Sequence, residues 1–245
     1  FKNVISNGLV LDKEGNKMSK RLGNAINPFE TIKLYGADAT RWYMISNAQP
    51  WDNLKFNTSG IEEVKRKFFG TLFNTYSFFS LYANIDKFKF TGSNFNIEKL
   101  DKLDKWILSE LNTLILNCSK NFDAFEPTKV CRDIQFFVVN KLSNWYVRLS
   151  RRKFWKGEYN ESKISAYQTL YECLEKIAII SSPVIPFYSN RLFNDLNKIS
   201  KRHKIESVHL ASFPNASLEI INKKLENQMS IAQEITSMIL SLRKQ

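Results

Sequence analysis

From about residue 60 onward the chain repeats one pattern: apolar side chains at three- and four-residue steps, short polar connections between the runs, and almost no glycine. That spacing gathers the apolar residues on one face of a helix, whose period is 3.6 residues. The first run carries Ile61, Val64, Phe68, Leu72, Tyr76 and Phe79. The second, from about Asp101, carries Leu103, Ile107, Leu111, Leu114, Cys118 and Phe122. A third starts at Pro127 and continues through Val130, Ile134, Phe137, Leu142, Trp145 and Leu149. A fourth takes Ile164, Tyr167, Tyr171, Leu174 and Ala178, until Pro183 and Pro186 interrupt or restart it before Leu192 and Leu196. The last run includes Leu218, Ile221, Leu225, Met229, Ala232, Ile239 and Leu242. Four or five such helices with short connections bury their stripes against one another, which predicts a mainly α fold with an antiparallel helical bundle over 59–245. Residues 91–96 read as a polar linker, and Ser207 to Leu210 as a weak strand signal inside a loop.

Residues 1–58 have a different character. Asn3 to Leu11 is β-branched and extended, with a bend expected near Gly8. Asn27-Pro28-Phe29-Glu30 supplies an N-cap, a proline at the first helical position and a glutamate able to bond back to the cap. Gly36 offers a left-handed stop, and Asp38 is expected to cap the helical run that follows it. Between strand and helix lies Asp12-Lys13-Glu14-Gly15-Asn16-Lys17-Met18-Ser19-Lys20-Arg21-Leu22-Gly23-Asn24, which sets two lysines three residues apart in a polar, glycine-flanked loop. A loop of this kind is suited to phosphate; the bland alternative is a solvated basic turn.

Composition narrows the classes. A length of 245 residues allows one large domain or two smaller ones, and 43% hydrophobic residues suffice for a substantial core. Cysteines 118, 131 and 173 are odd in number and widely spaced, so neither a disulfide framework nor a zinc knuckle is expected, and the composition is that of a reducing, cytoplasmic protein. No stretch approaches 18 uncharged apolar residues, which argues against a membrane span. His203 and His209 read as turn or surface residues, placed to serve neither a metal nor a nucleophile. The net charge of +12 calls for an anionic macromolecular partner.

Basic charge is concentrated at Arg148, Arg151, Arg152, Lys153 and Lys156, five cations in nine residues with no acid among them, interleaved with Phe154 and Trp155. If the third helix persists, Arg148, Arg152 and Trp155 flank the stripe carrying Trp145 and Leu149. Guanidinium groups beside an aromatic ring suit single-stranded RNA, the cations meeting phosphates and the ring a splayed base. Arg148, Arg151, Arg152 and Trp155 are therefore the candidate RNA contacts. The competing reading makes Trp145, Tyr146 and Trp155 packing residues covered by arginine stems.

Lys17-Met18-Ser19-Lys20-Arg21 resembles the KMSKS signature of class I aminoacyl-tRNA synthetases, with arginine in the fifth place. Gly36 to Arg41, Pro50-Trp51-Asp52-Asn53-Leu54-Lys55-Phe56, Asn74-Thr75-Tyr76 and Leu142-Ser143-Asn144-Trp145-Tyr146-Val147-Arg148 are similar to the isoleucyl-tRNA synthetases in the same order, over nearly the whole chain. The resemblance implies attack of the isoleucine carboxylate on the α-phosphate of ATP, with Mg2+, and transfer to tRNA(Ile). It implies that Lys17 and Lys20 are catalytic and contact the triphosphate, that Met18 and Ser19 complete the ATP-binding loop, and that residues 1–58 are the C-terminal end of an α/β dinucleotide-type catalytic domain with a tRNA stem-contact region. The bundle is then the anticodon-binding domain. A His-x-Gly-His element, which the family needs, is absent, so this chain alone is expected to be inactive and to bind no cofactor. Phe1 in mid-strand and the end at Gln245 read as the limits of a piece cut from a longer protein. The rivals are the valyl and leucyl enzymes, which share this layout, and a non-catalytic helical RNA-binding module.

Overall fold

The computed structural model describes residues 1–90, 92, 100–156 and 158–243. The linker expected at 91–96 falls outside them except for Gly92.

Two short strands, β1 (Val10–Leu11) and β2 (Leu54–Lys55), pair in parallel, Val10 with Leu54 and Leu11 with Lys55. The extended stretch expected over Asn3–Leu11 shrinks to these two residues. The bend at Gly8 arises from close backbone approach: a Cβ there would lie 2.0 Å from the Asp52 carbonyl oxygen, and the Gly8 amide donates to the Pro50 carbonyl at 2.8 Å.

Between the strands run α1 (Pro28–Tyr35) and α2 (Ala37–Asn47). Asn27 caps α1 as expected, accepting from the Phe29 amide, and Pro28 opens it; Glu30 bonds the Asn27 side chain rather than its amide. Gly36 takes a positive φ of 90° but with ψ 151°, so the chain turns there without a left-handed helical residue. Asp38 does not cap α2. Its carboxylate faces another helix.

The rest is mainly helical. α3 (Thr58–Val64), a π-helical segment (Lys65–Phe69) and α4 (Gly70–Ile85) run on continuously. α5 (Lys102–Asp123) leads to α6 (Pro127–Phe136), which passes through a second π segment (Phe137–Val147) into α7 (Arg148–Trp155). α8 (Glu161–Ser181), α9 (Pro186–Ser200) and α10 (Lys223–Leu242) complete the order. Pro186 restarts the chain as the first residue of α9. Leu218 belongs to a separate 3-10 turn, so the last helix begins later than its apolar spacing suggested.

α8 forms the middle of the bundle, with Tyr167, Leu170, Tyr171, Leu174 and Ile177 buried. The stripes of Phe68, Leu72 and Phe79, of Ile107, Leu111 and Cys118, and of Val130, Ile134, Phe137 and Leu142 meet there. Leu149 does not join them: it is exposed, and Ser150 and Phe154 turn inward instead. The wider turns of the π segment rotate the following residues out of the 3.6-residue register. α2 belongs to two cores. Trp42 stacks on Phe68 at 4.1 Å in the main one, whereas Ala39 and Tyr43 join Leu54, Phe56 and Ile61 in a smaller one beneath the β pair. All three cysteines are free and buried, and burial pushes the Cys131 thiol up to about 12. Among the described residues no helix is long and apolar enough to cross a membrane.

Candidate functional site

The lysine loop leaves β1 at Leu11 and returns as a bridge partner of the same residue at Lys17. Asp12 closes its base. The Asp12 Oδ1 accepts the amides of Gly15 and Asn16 at 2.8 and 2.7 Å, and Oδ2 accepts the Asn24 amide group at 2.9 Å. These bonds, from Asn24 first, hold the Asp12 carboxyl below its usual value. Gly15 makes the turn with φ 99°, and a Cβ there would touch the Lys55 stem at 3.0 Å.

Asn24 reaches the loop's far side: its Oδ1 accepts from the Ser19 amide at 2.8 Å, and its Nδ2 donates to the Lys17 carbonyl at 3.3 Å. Ser19 Oγ accepts from the Arg21 amide and so starts a 3-10 turn over Lys20–Leu22, which ends at Gly23 in the left-handed conformation. Met18 packs half-buried on the smaller core. Lys17, Lys20 and Arg21 are exposed. Among the described residues none of the three forms an ion pair with a carboxylate.

The second candidate surface is the end of α7. Helix persists to Trp155, and Arg148, Arg151, Arg152 and Trp155 are all exposed. Arg151 lies 5.8 Å over the ring of Phe78. Arg152 and Lys156 line a depression of about 300 Å³ with Lys153, Glu158, Asn160, Ser162 and Lys163. Not every cation of this cluster is free. Lys153 pairs with Asp101 at 2.5 Å and lies 3.5 Å from buried Asp104; Lys163 pairs with Asp86 at 2.7 Å. Phe154 is core, packed edge-on against Tyr167 with centroids 4.9 Å apart. Trp145 is half-buried against the main core, and Tyr146 is fully buried, donating to Asp104. Packing claims those two aromatics, while Trp155 stays on the surface.

His203 is not a simple surface residue. Its Nε2 lies 3.1 Å from Glu175, a buried carboxylate that also meets Arg202 at 2.8 Å. Among the described residues no group of three or more His, Cys, Asp or Glu is placed to hold a metal.

Residues 104–245, more than half the chain, match the family described as the anticodon-binding domain of tRNA ligase. The chain belongs to that anticodon-binding domain family. This family member also carries, over residues 1–57, a match to tRNA synthetases class I (I, L, M and V). The chain is 59% identical over 244 residues to isoleucine-tRNA ligase of Cytophaga hutchinsonii and 56% identical to that of Bacteroides fragilis. Each comparison takes in 100% of this chain but only 22% and 21% of those proteins. Among solved structures, the anticodon-binding family member resembles the Agrobacterium radiobacter K84 LeuRS of a LeuRS-tRNA-LeuAMS complex, with TM-score 0.64 at 18% identity over 88% of this chain and 24% of that one. Mycobacterium tuberculosis methionyl-tRNA synthetase in complex with methionyl-adenylate gives TM-score 0.62 at 18% identity over 76% of this chain and 36% of that one. These likenesses show the fold alone, shared with the matching parts of those two synthetases.

Proposed function

We propose that this chain is the part of a cytoplasmic isoleucine-tRNA ligase that supplies the lysine loop and grips the anticodon arm of tRNA(Ile). Residues 1–58 form the end of the catalytic domain and residues 59–245 the anticodon-binding bundle. The observation that carries the reading is the pair Lys17 and Lys20, both exposed and free of carboxylate partners on a loop tied down at its base. In activation, the isoleucine carboxylate attacks the α-phosphate of ATP and pyrophosphate leaves with growing negative charge. Two cations held beside it by the loop stabilise that charge. Met18 anchors the loop, and Ser19 organises the turn that bears Lys20. In the whole ligase ATP would come with Mg2+ on its phosphates, and the ion's charge would add to that of the two lysines.

At the other end, Arg148, Arg151 and Arg152 meet RNA phosphates and Trp155 accepts a base. Without the rest of the catalytic domain the chain alone is inactive. The test is isoleucine-dependent ATP/pyrophosphate exchange in the whole ligase. Exchange should favour isoleucine over valine and leucine, and Lys20→Ala should slow it about ten- to a hundredfold, the worth of one charge-assisted hydrogen bond. Exchange untouched by Lys20→Ala would remove that lysine from the site, and a preference for valine or leucine would reassign the ligase.

A further inference from the structure

Two lysines on an exposed turn do not hold a fixed position by themselves. Lys17 and Lys20 have long flexible stems, and the residues around them, Asn16 and Arg21, are also exposed. What fixes the backbone beneath them is a cross-link between residues at opposite ends of the loop. Asp12 precedes the turn and Asn24 ends it, and their side chains bond directly at 2.9 Å. Each then reaches a different part of the loop. Asp12 holds the amides of Gly15 and Asn16, immediately before Lys17. Asn24 holds the carbonyl of Lys17 and the amide of Ser19, immediately before Lys20.

Resting on the functional reading above, we infer that Asp12 and Asn24 are positioning residues for activation: their bond fixes the Lys17 and Lys20 backbone so that the two ammonium groups face the leaving pyrophosphate without searching for it. A carboxylate suits this better than an amide for a simple reason. The Asn24 side chain spends its oxygen on Ser19, so only its Nδ2 faces Asp12, and the group at position 12 must accept. Asp12→Asn keeps an oxygen for the Gly15 and Asn16 amides but turns a second amide nitrogen toward Asn24. The exchange therefore breaks the cross-link, and with it the 3.4 Å bond from the Asn16 side chain to the same oxygen, while leaving the backbone amides of the turn their acceptor.

The experiment is steady-state ATP/pyrophosphate exchange in the whole ligase with Asp12→Asn, Lys20→Ala and the two combined. Asp12→Asn should lower kcat about tenfold with KM for isoleucine unchanged, because one charge-assisted bond is lost far from the amino acid. In the Lys20→Ala background the same exchange should cost much less, as expected when two residues act through one element. The paired exchange Asp12→Asn with Asn24→Asp puts a donor opposite an acceptor again but gives up the bond to the Lys17 carbonyl, so it should recover part of the lost rate, which general damage to the fold would not allow. Parental kcat in Asp12→Asn would overturn the inference, as would a loss fully additive with Lys20→Ala and not recovered by the paired exchange. If Lys20→Ala itself exchanges at the parental rate, it is the functional reading that fails, and the positioning role falls with it.

Discussion

Asp38, in the first turn of α2, accepts the backbone amide of Tyr188 at 2.6 Å, 150 residues away in the first turn of α9. Ile185, the residue at the α9 N-cap, offers no side-chain oxygen, so α9 is capped from another helix. Arg41, one turn further along α2, donates to the Val184 and Pro183 carbonyls at 2.8 and 3.1 Å. Burial raises the Asp38 pKa, against the bonds from Tyr188 and Phe187 that favour the charged form. Asp38→Ala should therefore cost about 1 kcal/mol and lower the melting temperature by roughly 2 to 4 °C. Asp38→Asn keeps an acceptor and sheds the buried charge, so it should cost less. Thermal melts that rank the two variants the other way would show that the charge, not the cap, matters.

Trp145 and Trp155 lie ten residues apart on one continuous helix and should behave oppositely. Trp155 is 56% exposed, whereas Trp145 packs against the main core. Trp155→Ala should weaken tRNA(Ile) binding by about 1 to 3 kcal/mol without changing the melting temperature. Trp145→Ala should lower stability by about 2 kcal/mol, less than a fully buried tryptophan would. Filter binding beside thermal melts separates them; unchanged RNA affinity in Trp155→Ala would return that ring to the packing class.

The helices were legible because each stripe obeys a local period, and residues such as Ile107, Leu111 and Cys118 are buried where that period puts them. Leu149 was misplaced because the eleven-residue π segment Phe137–Val147 changes the turn size without any residue that announces it. The exposure of Lys17 and Lys20 was legible from the polar, glycine-flanked loop that carries them. Their cross-link was not, since Asp12 and Asn24 stand twelve positions apart in a loop that has no period. Asp38 has the sequence signature of a local cap, but a distant helix end lacking its own acceptor competed for the same carboxylate and won. His203, which reads from its own neighbourhood as a turn or surface residue, is drawn inward together with Arg202 by Glu175 on α8.

Acid should expose one of the ties between helices. Asp86 accepts from Lys163 at 2.7 Å and from the Tyr167 hydroxyl at 2.6 Å. Burial works to raise its pKa, but these bonds outweigh it and hold it below 3.8. A lowered carboxyl pKa adds stability that is present above pH 3.8 and fades as pH falls through the folded-state value. Asp86→Asn, which strands the buried Lys163 ammonium, should cost about 3 kcal/mol at pH 7. In urea unfolding the gap between parent and variant should narrow below pH 3.8. A constant gap at both pH values would mean the ion pair contributes nothing through charge.

Two arginines of similar geometry should differ sharply in worth. Arg202 meets Glu175 at 2.8 Å and Glu172 at 2.6 Å, with the Glu175 side chain 1% exposed and its other oxygen taken by Tyr171 and His203 at 3.1 Å each. Arg191 meets Asp195 at 2.7 Å, but its side chain is 80% exposed. Removing Arg202 leaves a carboxylate in the interior without its main counter-charge, whereas water replaces Arg191 at once. Arg202→Ala should destabilise the protein by about 3 kcal/mol, the low end for a broken buried pair because Arg202 keeps some contact with solvent. Arg191→Ala should cost far less. Adding Glu175→Gln to Arg202→Ala removes the stranded charge and should recover part of the loss, as in a double-mutant cycle between contacting residues. Additive losses in denaturant unfolding would place the Arg202 contribution in its packing rather than in its charge.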